Sequence, residues 1–159
     1  MEGQILVVPN LQGGSDMPKD SEATRVHVKG NVVGNVAEHK LTEWLYEHRT
    51  QIREFVYLPS FTKGGVFPRP LYFRGERSGE VEFPALEVLE MNVSAASDWT
   101  YTRSATPRHY GWIAPGLRIL RFRKDGRARL QADLLETLQQ EQPALEEVWL
   151  DDEKLWSKN

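Results

Sequence analysis

The sequence predicts an α/β solenoid, with five or six parallel strands on one face and helices or irregular loops on the other. Three observations predict this fold. One pattern of apolar residues occurs five times, and the strand centres lie 28 to 34 residues apart (26, 55, 89, 120, 148). Two of the intervening segments have the spacing of amphipathic helices. Repetition at such a period is typical of chains that stack one structural unit on the next.

The repeated pattern is clearest in three segments that begin with proline: Pro84–Met91, Pro115–Phe122 and Pro143–Leu150. Each has proline, a small residue, leucine, two further residues, an apolar residue, one residue and a large apolar residue. Side chains alternate between the two faces of a strand, so the last two apolar positions point to the same side. We expect them to point inward, while the first apolar position covers the turn into the strand.

Two upstream segments fit the same pattern without the proline. Their apolar positions are Ala23, Val26 and Val28 in the first unit, and Ile52, Phe55 and Tyr57 in the second. An edge strand is predicted before them, at Ile5–Val8. The sequence therefore predicts a single domain over 1–159, with an edge strand and loop in 1–21, repeats in 22–151 and a C-terminal tail in 152–159.

The segments between the strands differ in character. Glu38–Arg49 and Leu130–Glu141 carry apolar residues at offsets of three and four, which predicts helices. The apolar stripes are Leu41, Trp44, Leu45 and His48 in the first, and Leu130, Leu134, Leu135 and Leu138 in the second. Segments 60–83 and 94–114 are rich in glycine, proline and aromatic residues, which predicts extended loops.

The ends of such a fold need covering, because a terminal unit has a neighbour on one side only. Leu155 and Trp156 lie in the short tail that follows the last strand. We expect the exposed solenoid end to be covered by this tail, by a partner or by a second copy of the chain in a homo-oligomer.

Composition narrows the classes of function. The net charge is −3 and the pI is near 5.8, which argues against nucleic acid as the partner because nucleic-acid-binding domains are usually basic. The chain has no cysteine, so disulfides and thiolate metal sites are excluded, and we expect a cytoplasmic or nuclear location. The first ten residues lack a basic region and a long apolar run, so we expect neither a signal peptide nor a membrane span.

With the repeated Pro-x-Leu-x-x-Leu-x-Leu pattern, the chain resembles leucine-rich-repeat proteins over about residues 23–151. It looks most like the irregular repeats of F-box/leucine-rich-repeat proteins. The resemblance implies a protein-interaction or scaffold module, such as a substrate-recognition domain, rather than an enzyme. Two features depart from the family: Asn92 alone lies near the asparagine position, and no F-box-like segment precedes the repeats.

No motif for catalysis is present, neither a nucleophile elbow, a phosphate loop nor a dinucleotide fingerprint. We therefore expect no catalytic residues, no cofactor and no metal. His39 and Glu43 are four residues apart on the predicted helix, but a third ligand is not indicated. The alternative function is an enzyme or small-molecule binder with its site in loops 60–83 and 94–114. In the second loop, Trp99, Tyr101, Tyr110 and Trp112 are either exposed anchors or a plug for the side that lacks a helix.

The outward strand positions form the expected binding surface. The predicted partner-binding residues are His27, Val56, Glu90, Arg121, Arg123 and Trp149. Their mixture of apolar, aromatic and charged side chains is typical of a protein-binding surface. We expect the row to be exposed, with Trp149 as the anchor and Glu90 paired with Arg121. The basic stretch from Arg118 to Arg129 is either an anionic-partner site or a solvated face neutralised by nearby acids.

Overall fold

The computed structural model describes residues 3–12, 14, 16–59, 71, 73, 80–93, 106–124 and 133–159. Within them the chain has a mixed α/β architecture. It contains a seven-stranded, mostly parallel sheet, a two-stranded parallel sheet and two α-helices. The mixed class and the parallel sheet agree with the sequence prediction.

The large sheet follows the order of the chain. Its strands are β1 (Ile5–Leu11), β2 (Arg25–Val32), β3 (Glu54–Tyr57), β5 (Val88–Val93), β7 (Ile119–Lys124), β8 (Glu147–Leu150) and β9 (Glu153–Ser157). All neighbouring pairs from β1 to β8 are parallel, and β9 is antiparallel to β8. The small sheet pairs β4 (Val81–Glu82) with β6 (Trp112–Ile113). Each strand of the large sheet thus lies beside the one that precedes it in that sheet.

The helices lie between strands where the periodicity predicts them. Helix α1 spans Gly34–Glu47 and begins earlier than predicted, while α2 spans Leu134–Glu141. Gly34 has a φ of 81°, a left-handed conformation that glycine adopts without strain, and it turns the chain from β2 into α1. Helix α2 begins four residues later than predicted, directly after Asp133, and Leu130 itself lies outside the described residues. Neither described helix is long and apolar enough to cross a membrane.

The apolar positions of the repeated pattern form the core. Fourteen of these fifteen positions are buried, and all of them except Ala23 belong to one cluster with residues of both helices. Leu150 is partly buried and packs against this cluster. Burying these side chains is the main source of folding free energy. The register places Leu89 opposite Phe55 on one side and Leu120 on the other, in adjacent strands as predicted.

Charged residues alternate in sign just before the strands. Arg53, Glu87, Arg118 and Glu146 each precede a strand at the equivalent position. The distances from nitrogen to oxygen are 2.8 Å for Arg53–Glu87, 3.9 Å for Arg118–Glu87 and 2.8 Å for Arg118–Glu146. Exposed pairs contribute little to stability. If one strand slid along its neighbour, these ion pairs would be lost, so the row of alternating charges favours the observed register.

Tyr110 and Trp112 are buried, which decides between the two hypotheses for these aromatics in favour of the plug. Trp112 contacts the rings of Phe55, Phe73 and Phe83, with centroids 4.6 to 5.1 Å away. Its indole Nε1 donates a hydrogen bond to the carbonyl of Leu71 at 3.0 Å. These rings belong to the same core cluster as the buried residues of both helices. Trp99 and Tyr101 lie outside the described residues.

The tail forms the edge strand β9. Its Trp156 pairs with Val148 of β8 and packs against the core, so the tail covers part of the last strand as predicted.

Deleting residues 153–159 is expected to lower the melting temperature, because it exposes the backbone edge of β8 and uncovers Val148 and its neighbours. A loss of about 2 kcal/mol would lower the melting temperature by about 4–8 °C for a chain of this size. Circular dichroism during heating measures it, with deletion of Asn159 alone as the control. An unchanged melting temperature and oligomeric state would show that the tail is not a cap.

Candidate protein-binding face

The strand face consists of the side chains of the six parallel strands that point away from the two helices. The described helices and the small sheet pack against the opposite face, together with the inward side chains. The pairing register places His27, Val56, Glu90, Arg121 and Trp149 in a single row across five strands. The predicted row therefore exists. Its role in binding stays a prediction.

The prediction that the whole row is exposed was wrong at its centre. Val56 is only 4% exposed and Glu90 only 8% exposed, whereas His27, Arg121 and Trp149 are half-buried. Neighbouring strands lie about 4.8 Å apart, so longer side chains on both sides can shield a short one such as Val56. The accessible parts of the strand face lie toward its two ends.

Three side chains form a polar cluster at the β2–β3 end of the strand face. The Glu54 carboxylate accepts hydrogen bonds from Arg25 Nε at 3.1 Å and lies 2.7 Å from His27 Nε2. Burial favours the neutral acid, but the hydrogen bonds and charges of His27 and Arg25 outweigh it. The pKa of Glu54 is therefore lowered from 4.5. Glu54 was not among the predicted site residues, although its register partner Arg25 carries the opposite charge.

Glu54 should make folding pH-dependent. Because its pKa is lower in the folded state, its stabilising contribution is present above about pH 4.5 and is lost as the pH falls through the folded-state value. Replacing Glu54 with glutamine should therefore lower the melting temperature at about pH 6, and the difference from wild type should shrink as the pH falls below 4.5. The exposed Glu153→Gln is the control. A difference that stays constant with pH would contradict this assignment.

Glu90 pairs with Arg123 rather than with Arg121, which corrects the expected pairing. The distance from Arg123 Nε to Glu90 Oε1 is 2.6 Å, and Arg123 Nη1 lies 3.4 Å from Asp152 Oδ1. The hydrogen bond to Glu90 raises the pKa of Arg123 above its ordinary value despite partial burial. Arg121 lies directly opposite Glu90 on the next strand, but its guanidinium is placed toward Trp149 instead. Arg123 lies two residues beyond Arg121 on β7, and its long side chain reaches diagonally across the sheet to Glu90.

Trp149, the expected anchor of the binding surface, is held in place by side chains of its own chain. Its Nε1 donates a hydrogen bond to Glu147 Oε2 at 2.9 Å. The Arg121 guanidinium lies 5.8 Å and the Lys154 ammonium 5.2 Å from the ring centroid, within cation–π range. The hydrogen bond from Trp149 lowers the pKa of Glu147. The indole nevertheless remains half-buried rather than enclosed.

Acidic neighbours neutralise part of the basic stretch, as the solvated-face hypothesis predicts. Arg118 pairs with Glu146 and Glu87, and Arg123 pairs with Glu90 and Asp152. The hydrogen bond with Glu146 raises the pKa of Arg118, and the same bond lowers that of Glu146. Arg127 and Arg129 lie outside the described residues.

The structure bears on two of the three remaining candidates, which are a metal site at His39 and Glu43, the buried His48, and a site in the loops. Among the described residues no group of three or more His, Asp or Glu side chains is placed to hold a metal, His39 and Glu43 included. His48 is buried at the edge of the helix stripe, as predicted, and its ring stacks on Trp44 with centroids 4.0 Å apart. Most of loops 60–83 and 94–114 lies outside the described residues, so the alternative site in those loops stays a prediction.

Comparison of the chain with family models, with curated proteins and with solved structures gives no match.

Proposed function

We propose that this chain is a short leucine-rich-repeat solenoid and binds a protein partner through its strand face. The sequential order of six parallel strands supports the solenoid interpretation, because stacked repeats place each new strand beside the previous one. The equivalent apolar positions of successive units also fall opposite one another in the sheet, as Phe55, Leu89 and Leu120 do.

The arrangement around Trp149 carries the proposal. At the end of the strand face formed by β7 and β8, next to β9, Arg121, Arg123 and Trp149 are all half-buried, so each keeps accessible surface. Tryptophan and arginine are the residue types most enriched among side chains that dominate binding energy. Glu147 and Glu90 hold Trp149 and Arg123 through hydrogen bonds before any partner arrives. Fixing these side chains in advance reduces the entropy lost on binding.

The accessible side chains also indicate the chemistry of the contact. Arg121 and Lys154 lie near the Trp149 ring, and Glu147 is engaged by the indole N–H and by Lys154 at 3.5 Å. This end of the strand face therefore offers an apolar ring with cations beside it. A partner segment with an apolar side chain next to a carboxylate would match both features. In such a contact the protein acts as an adaptor or a substrate-recognition module and performs no chemistry.

The test is a pull-down of native partners with the wild type and with a double variant, Trp149→Ala with Arg121→Glu. An anchor that contributes about 2 kcal/mol or more corresponds to about a 30-fold loss of affinity, so bound partners should be largely lost. The pair of changes Tyr46→Ala and Arg49→Glu is the matched control. It removes another cation–π pair, 4.2 Å from guanidinium to ring centroid, on α1 and just after it.

Circular dichroism should show that both double variants are folded. If the Trp149 and Arg121 variant is folded and retains every partner, the strand face is not the working surface, and loops 60–83 and 94–114 become the better candidate.

A further inference from the structure

The two edge strands of the large sheet differ in how well they are protected against pairing with another chain. Strand β9 carries Glu153 and Lys154, and charged side chains on an edge discourage pairing with other chains. Strand β1 has the sequence ILVVPNL, with no charged residue, and pairs with β2 alone among the described strands. An uncharged, apolar edge of this length is the type that accepts a further strand.

Apolar side chains on β1 are exposed as well. Ile5 is 46% exposed and Val7 is 59% exposed, and both point to the strand-face side of the sheet. The other large apolar residues that are exposed among the described ones are Val33 and Val36, at the start of α1. Leu6 and Val8 point toward the core side, where Val8 is buried. The side chains of β1 thus alternate between the two faces of the sheet, and none of the described strands lies on its outer side.

The direction of the backbone groups follows from the pairing with β2. The Gln4 carbonyl accepts hydrogen bonds from the amides of Thr24 and Arg25, so Gln4 faces β2. Backbone groups alternate along a strand, and Ile5 and Val7 therefore present their N–H and C=O groups to the open edge. The ladder is irregular between Val8 and Asn10, and Pro9 has no N–H, so the regular edge ends there.

We propose that β1 pairs with β1 of a second copy of this chain, antiparallel and about a two-fold axis through Leu6. This register sets Ile5 opposite Val7 of the second copy, and Val7 opposite its Ile5. In both pairs the N–H of each residue can donate to the C=O of the other, because the backbone groups of Ile5 and Val7 point to the open edge. Leu6 meets Leu6 of the second copy on the core side. The pairing ends where Pro9 cannot donate.

The β1 edge is complementary to itself, so a second copy of this chain is the partner that it fits. The donors and acceptors of Ile5 and Val7 satisfy each other under two-fold symmetry, and an uncharged strand meets no repulsion from its own copy. The axis lies perpendicular to the sheet, so the two sheets continue into one and both strand faces look to the same side. A contact through so few residues predicts a dimer that dissociates on dilution.

The experiment is sedimentation equilibrium or light scattering over a range of concentrations. The wild type should shift from monomer to dimer as concentration rises. Ile5→Lys with Val7→Lys places like charges opposite each other across the axis, and should raise the dissociation constant at least tenfold. Val33→Lys with Val36→Lys is the matched control, because it makes the same changes at exposed positions outside the edge, and it should dimerise as the wild type does.

A second variant tests the backbone pairing itself. Val7→Pro removes an N–H that points away from β2, so it should abolish dimerisation while circular dichroism shows a folded chain. If this variant does not fold, the double lysine variant still decides the question. A wild type that stays monomeric at all concentrations, or lysine variants that dimerise normally, would overturn the proposal. Changes at Trp149 and Arg121 should leave the dimer intact, so this test is independent of the proposed function.

Discussion

Leu120→Ala is expected to lower the free energy of unfolding by about 2–5 kcal/mol. Leu120 lies in β7 between Leu89 and Val148, in the central row of the core, and no part of its side chain is exposed. Removing it takes apolar area out of the core and leaves a cavity that the rigid parallel strands on both sides cannot close. Domains of this size are stable by only about 5–15 kcal/mol, so the loss is a large fraction. Urea denaturation measures it.

The neighbouring residue provides the control. Ile119 precedes Leu120 on the same strand but points to the strand face and is half-buried. Ile119→Ala should therefore cost clearly less than Leu120→Ala, although it removes the same number of carbon atoms. If Leu120→Ala leaves the unfolding curve unchanged, or if the two costs are reversed, the assignment of inward and outward positions in β7 is wrong.

Trp112→Ala is the second change that should be strongly destabilising, and it is expected to lower the free energy of unfolding by about 3–5 kcal/mol. Trp112 is almost fully buried and contacts Phe55 of β3 as well as Phe73 and Phe83. It thereby joins the large sheet to the segment around the small sheet. Removing the indole empties the centre of this aromatic cluster and leaves the Leu71 carbonyl without its donor.

Trp112→Phe separates these two contributions. Phenylalanine keeps most of the ring contacts but cannot donate to Leu71, and a buried carbonyl left without a donor costs about 1–3 kcal/mol. The phenylalanine variant should thus be destabilised less than the alanine variant in thermal and urea unfolding. Equal costs for both would show that the hydrogen bond, and not the ring packing, dominates. A negligible cost for alanine would contradict the burial of this ring.

The sequence by itself determined the positions of the six parallel strands of the large sheet and the side on which their residues lie. It did not predict β4 and β6, which form inside segments expected to be extended loops, or β9, which forms in the tail. Alternation along a strand is local, so Val26, Phe55, Leu89, Leu120 and Val148 could be assigned inward from spacing alone, and the structure buries all five. The helix stripe containing Leu41 and Leu45 follows from the same local rule with a period of 3.6 residues. The resulting row of outward residues also agrees with the register of the sheet.

Lateral contacts between strands were decided only by the tertiary structure. The sequence places Glu90 and Arg121 side by side, but the preference of Glu90 for Arg123 depends on the reach of long side chains across the sheet. The position of Trp149 near Arg121 and Lys154 likewise depends on β9, which returns antiparallel after a turn at Asp151.

Burial was also decided by partners that are distant along the chain. An outward position does not imply exposure, as Val56 shows, because covering a side chain requires neighbours whose positions local spacing does not contain. Tyr110 and Trp112 show the converse: their segment has no helical or strand periodicity, yet both rings are buried against residues far along the chain. Alternation fixes direction within one strand, whereas packing depends on contacts between segments that only the folded chain brings together.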